Sequence, residues 1–155
     1  MEKDRFPPGL HMIKNEKQYR ISKTHAERFR QAIAEVTANP DRGIPAKLRK
    51  AEIDALESQL EDLETELKQY ESLRSGKQRT LALDSIEDLP KTLIQARIAA
   101  GLSQEGLAHK LGVKTQQIQR YEATDYRSAS LERINEVVRV LGVKLRRRAE
   151  LRLVS

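Results

Sequence analysis

The chain contains no cysteine and no tryptophan, and its aromatic content is only 4%. Without cysteine there is no disulfide framework, no Cys-ligated zinc or iron–sulfur site and no thiol nucleophile. With so few aromatics the core must come from Leu, Ile, Val and Ala, which suits helices better than an aromatic-rich β-sandwich. No apolar run approaches the ~18–20 residues that cross a bilayer. The opening MEKDRFPPGL has no apolar stretch after its charges, so a secretory leader is not expected. A length of 155 residues allows one compact domain or two small ones. The expectation is a soluble, cytoplasmic, mainly all-α protein.

Catalytic signatures are missing too. There is no GxxxxGK[ST] phosphate loop, GxGxxG fingerprint or HExxH helix. His11, His25 and His109 fall in separate segments without ligand spacing. No enzymatic activity, metal site or cofactor is expected.

What the chain does have is charge, unevenly spread. Its net charge is +6. Residues 1–50 hold 12 basic and 6 acidic side chains, residues 51–75 hold 2 and 8, residues 76–90 hold 2 and 3, and residues 91–155 hold 13 and 6. An acidic block between two basic ones implies segments with different tasks.

Residues 1–21, with Pro7, Pro8 and Gly9, show no period and read as a loose extension. From Ser22 or Thr24 a helical stripe begins, with Ala26, Phe29, Ile33 and Val36 spaced by 3, 4 and 3. Either hydroxyl can cap that start, and Thr24 has Glu27 three residues on, the arrangement of a capping box. Asn39-Pro40 ends the helix. After a Pro/Gly loop, Ile53, Leu56, Leu60, Leu63, Leu67 and Tyr70 alternate spacings of 3 and 4, a coiled-coil seam. Its flanking positions carry Glu57, Gln59, Glu64, Glu66, Glu71 and Leu73. Like charges would face each other in a parallel homodimer, whereas the first helix offers Lys23, Arg28 and Arg30. The seam therefore predicts an antiparallel hairpin of residues 22–38 against 46–74, within an association region over 22–75. The six seam residues are the candidates for oligomerisation.

Residues 76–84 read as a linker and residues 85–155 as a second unit of four or five short helices. Within it, SQEGLAHKLGVKTQQIQRYEA carries the informative spacing. Ser103 caps one helix, whose apolar face is Leu107, Ala108 and Leu111. Gly112 sits where the helix must end in a left-handed residue. A second helix follows with Ile118 and Tyr121 inward. A small residue at the crossing (Ala108), Gly in the turn and a branched anchor (Ile118) are what two helices joined by a short turn require.

Residues 89–143 resemble the Cro/cI-type, or XRE-type, helix-turn-helix regulators. The resemblance rests on the Arg of LIQAR, the GLSQ helix start, the LGV turn, RYE and SLERINEVVRVLGV. The whole chain also resembles, more distantly, HigA-type antitoxin-like proteins. The family implies double-stranded operator DNA as a partner, with Thr115, Gln116 and Arg120 at base edges and Gln117 and Gln119 as further candidates. It also implies that Gln104 holds a phosphate and buttresses the reading helix, and that Arg97 and Glu122 form a structural ion pair. Lys114 stands where the family has Ser or Thr as a cap, so either Thr115 caps the helix or Lys114 faces phosphate. Arg127, just past the reading helix, joins the DNA-binding candidates. After Glu122 the chain has Ala123-Thr124-Asp125 in place of the usual Asn-Gly, so that turn must be built differently.

Residues 143–155 alternate, with Val143, Leu145, Ala149, Leu151 and Leu153 on one side, and predict a short β-strand that needs a partner. Its basic side could meet a DNA backbone or serve as a solvated edge. Two functions follow as expectations: a homodimeric or higher-oligomeric DNA-binding regulator, or an antitoxin whose N-terminal helices neutralise a toxin while the C-terminal unit autoregulates.

Overall fold

The computed structural model describes residues 11–40 and 43–146. Every regular element among them is helical. The chain divides into two compact units, with the boundary between Arg79 and Thr80.

The first unit is a hairpin of α1 (Glu16–Ala38) and α2 (Ala46–Arg74). Its antiparallel sense is read from the side-chain pairs. Tyr19 donates to Glu71 at 2.5 Å, Arg30 donates to Glu64 at 2.8 Å and Arg74 donates to Glu16 at 3.0 Å, so the partner number falls as α1 advances. The seam faces α1: Leu67 and Tyr70 are buried, and Ile53, Leu56, Leu60 and Leu63 are half-buried. Tyr70 stacks on Tyr19, centroids 5.1 Å apart, and the Arg74 guanidinium lies over the Tyr19 ring at 4.6 Å. Of the basic residues on α1, Arg30 does meet an acid of α2, while the Lys23 ammonium lies 5.5 Å from the centre of the Tyr19 ring.

One expectation fails here. α1 begins at Glu16, not at Ser22 or Thr24, and its cap is Asn15, whose side chain accepts from the Gln18 N–H at 2.9 Å. Tyr19 and Ser22 extend the stripe of Ala26, Phe29, Ile33 and Val36 by the same 3–4 spacing, and both are buried. Residues 11–15 are not loose either. Ile13 is 4% exposed, and the His11 N–H donates to the Glu66 carboxylate. Thr24 directs its hydroxyl back into the helix, to the Arg20 carbonyl at 3.1 Å. The first ten residues of the expected extension lie outside the described residues.

Residues 77–84 form no regular element. The second unit opens with a 3-10 turn (Ile86–Asp88) closed by a capping box in which Asp88 accepts from both the N–H and the hydroxyl of Ser85. Those bonds hold the Asp88 carboxyl below the ordinary carboxylate range. Four helices follow: α3 (Leu89–Ala99), α4 (Gln104–Leu111), α5 (Thr115–Ala123) and α6 (Leu131–Val140). α4 packs on α5 and α6. The core is aliphatic: Leu93, Ile94, Leu107, Ile118 and Val137 are each at most 1% exposed. Burying a side chain of this size contributes roughly 1.5–3 kcal/mol before the entropy of ordering it.

The expected strand over 143–155 is not met within its described part, since residues 143–146 form no regular element; its remainder, 147–155, lies outside the described residues. No helix among the described residues is long and apolar enough to cross a membrane.

Candidate nucleic-acid interface

The site is built from α4, the turn after it and α5. Ser103 is extended (φ −72°, ψ 167°) and its hydroxyl accepts from the Gly106 N–H at 2.9 Å, which fixes the start of α4. Gly112 ends the helix at φ 66°, the left-handed region where a side chain is disfavoured. The Val113 N–H then returns to the Ala108 carbonyl at 3.0 Å, closing the turn.

Lys114 is the cap residue of α5, in an extended conformation and without a side-chain cap bond. Thr115 is already inside the helix. The cap is supplied by backbone alone, the Gln117 N–H meeting the Lys114 carbonyl at 2.9 Å. The Lys114 side chain therefore takes no part in capping the helix, and the residue is exposed.

α5 has two faces. Ile118 and Glu122 are 0% exposed and Tyr121 6%. Gln116, Gln119 and Arg120 are exposed on the other side, with Thr115 and Gln117 half-buried at its margin. Gln117 donates from its side-chain amide to the Tyr121 hydroxyl at 2.6 Å. Arg127 is exposed in the turn beyond the helix.

The inward face is held by a buried polar cluster. Arg97 Nε and Nη2 donate to the two carboxylate oxygens of Glu122 at 2.6 and 2.9 Å, and Nη1 donates to the Leu102 carbonyl at 2.7 Å. Both side chains of the pair are at most 2% exposed. Gln104, the first residue of α4, adds a third donor, its Nε2 reaching Glu122 Oε2 at 2.7 Å. Burying two charges is unfavourable unless their hydrogen bonds are satisfied, and these are. One cluster thus joins α3, the start of α4 and the end of α5. Through this Gln104 bond the first residue of α4 is tied to the end of α5. That single bond uses one of the glutamine's two amide hydrogens.

The turn after α5 differs from the glycine-based one usual in the family. Asp125 and Tyr126 both have positive φ, 48° and 56°. Consecutive non-glycine residues in that region are held there by their surroundings. Tyr126 is 2% exposed and stacks on Tyr121, and its N–H donates to the Tyr121 carbonyl at 2.7 Å. Its hydroxyl is buried with no hydrogen-bond partner among the described residues, and burial raises its pKa well above that of an ordinary phenol. The Thr124 and Ser128 hydroxyls close the turn at 3.0 Å.

Sequence reasoning missed two elements of the site: the Gln104–Glu122 bond and the Gln117–Tyr121 bond. Only the second left a trace, the four-residue spacing that makes helical neighbours.

A short helix ending in a left-handed glycine, followed by a second helix with a polar outward face over an apolar anchor, defines a helix-turn-helix unit. Residues 93–147 match the Helix-turn-helix family. Over those residues the chain is similar to XRE-type helix-turn-helix domains, which supports a DNA-binding transcription regulator. Comparison with curated proteins and with solved structures gave no match.

Proposed function

We propose that the protein is a sequence-specific regulator that binds an inverted-repeat operator as a homodimer, with α5 in the major groove. The observation that carries this reading is the division of α5: Gln116, Gln119 and Arg120 are exposed while Ile118, Tyr121 and Glu122 are committed to the core. Gln is suited to adenine N6/N7 and Arg to guanine O6/N7. Thr115, Gln116 and Arg120 meet base edges in this reading, with Gln117 and Gln119 beside them. Gln104, Lys114 and Arg127 contact phosphates, which position the helix without reading sequence. Two-fold pairing sets the reading helices ~34 Å apart, or a multiple of that. The hairpin seam, half-buried over Ile53, Leu56, Leu60 and Leu63, supports association there. Selection of bound sequences from random DNA with the purified chain tests the reading. A palindromic consensus is the expected result, and recovery of random sequence would overturn it.

A second reading is an antitoxin whose hairpin captures a basic toxin while the C-terminal unit autoregulates. It is favoured by the exposed acids Glu57, Glu61 and Asp62 on α2. A small toxin-like reading frame beside this one, whose product is inhibited by the full chain but not by a chain lacking residues 1–80, is the expected finding. A neighbourhood without such a frame argues for the autonomous regulator.

A further inference from the structure

Gln117 differs from its neighbours on the outward side of α5. Gln116, Gln119 and Arg120 are exposed, and long side chains in water sample many rotamers. Gln117 is half-buried, and its carboxamide donates to the Tyr121 hydroxyl at 2.6 Å, one helical turn further on. Tyr121 is itself immobilised. It is 6% exposed, and its ring stacks on that of Tyr126 with centroids 6.0 Å apart and planes 23° from parallel. Tyr126 in turn is 2% exposed and sits in the left-handed turn that follows the helix. A chain of contacts therefore runs from the core, through two stacked rings, to one carboxamide at the edge of the reading face.

We propose that Tyr121 is a positioning residue for base reading, holding the Gln117 carboxamide so that Gln117 is the preorganised reader of one base step. The inference rests on the assignment of α5 as the reading helix. A glutamine without an internal partner turns its carboxamide to suit different base edges, and loses rotamer freedom only when DNA binds. An anchored one has less entropy to lose and offers one donor–acceptor pattern. A mismatched base then leaves buried polar groups unpaired, which is the stronger route to discrimination. Tyr121 need not touch DNA for this: removing its hydroxyl keeps the stacked ring and releases the carboxamide.

Selection from random DNA with the full chain tests the proposal, run in parallel on wild type, Tyr121→Phe, Gln117→Ala, the double variant, Gln116→Ala and Arg120→Ala. In Tyr121→Phe, preference at a single base step is expected to fall about tenfold. Gln117→Ala should lose preference at that same step, and the double variant should add nothing to it. Retention of the wild-type preference in Tyr121→Phe, where Gln117→Ala loses it, overturns the positioning role. Retention in Gln117→Ala shows that Gln117 reads nothing and overturns it equally. If Gln116→Ala and Arg120→Ala also leave the consensus unchanged, the assignment of α5 falls, and the proposal with it. A second measurement needs no variant: side-chain amide relaxation in the free wild-type chain should find Gln117 rigid while Gln116 and Gln119 are mobile. Equal mobility of the three overturns the proposal.

Discussion

The Arg97 guanidinium spans both carboxylate oxygens of Glu122, 25 residues away, at 2.6 and 2.9 Å, with both side chains almost fully buried. This pair and the Gln104 amide beside it set where α5 stands relative to α3 and α4. Neither member faces solvent, so the pair is part of the frame of the helix-turn-helix unit and not of its surface.

Removing one partner leaves an uncompensated buried charge. Arg97→Ala should cost about 3–5 kcal/mol, and replacing both residues by apolar ones of similar size considerably less. Urea unfolding of the full chain, followed by hydrogen exchange of the α3–α5 amides, measures both. Undiminished protection at Ile94 and Ile118 in Arg97→Ala would contradict the role.

Two glycines of the reading unit should respond in opposite directions. Gly112 has φ 66°, and a methyl group added at its Cα would find nothing within 4 Å, so Gly112→Ala carries only a conformational cost, about 1 kcal/mol. Gly106 has ordinary helical geometry, and an added Cβ would meet the Ser103 hydroxyl at 3.4 Å and Leu102 at 3.5 Å, which is van der Waals contact. Gly106→Ala should therefore stabilise α4 by roughly 0.5–1 kcal/mol. Thermal unfolding of the two variants gives shifts of opposite sign if this is right.

The hairpin carries a pH dependence through Glu66. Its carboxyl is held above the ordinary value of 4.5, first by burial and further by the nearby Asp62 charge, with the His11 N–H and the His11 side chain acting the other way. A carboxyl whose pKa is raised on folding binds its proton more tightly in the folded chain. Stability of the hairpin should then fall as pH rises from about 4.5 through the folded value. Glu66→Gln keeps an acceptor for the His11 N–H and should flatten that part of the profile. Chemical unfolding followed between pH 4 and 7, a range chosen on the order of the reference carboxylate values and above, distinguishes the two, and parallel profiles would remove Glu66 from the account.

Phosphate contacts and base contacts separate under salt. Raising salt from about 50 to 200 mM should weaken operator binding by orders of magnitude. Lys114→Ala and Arg127→Ala should each reduce the salt slope by about one and leave the consensus unchanged. Gln116→Ala should keep the wild-type slope, and both Gln116→Ala and Arg120→Ala should cost about 1–3 kcal/mol per lost base contact. Fluorescence anisotropy on operator and scrambled duplexes across a salt series reads all four.

Much of the fold is legible in the residues. The seam from Ile53 to Tyr70 lies against α1 because a 3–4 apolar repeat has one side to bury. Ser103, Gly112 and Ile118 stand where cap, turn and anchor are needed. The start of α1 was not legible, because its stripe continues through Ser22 and Tyr19, a small polar residue and an amphipathic one that do not register as apolar. Glu66 was hidden for a related reason: its position beside the seam reads as a solvated flank, yet it is buried and accepts from the His11 N–H. The turn at Asp125 and Tyr126 carries no glycine to announce a left-handed backbone. The roles of the exposed residues on α5 depend on a DNA sequence that lies outside the chain altogether.

The buried phenol of Tyr126 gives the reading unit an optical gauge of its own. Ionisation of a tyrosine shifts its near-ultraviolet absorbance, and this one is kept from ionising by burial and by the charge of Glu122. Any event that loosens the corner after α5, whether a core substitution or partial unfolding, would let that ring reach water and titrate with the ordinary phenols. An alkaline absorbance titration would then count one more early-ionising tyrosine, reporting on the seating of the reading helix without a label.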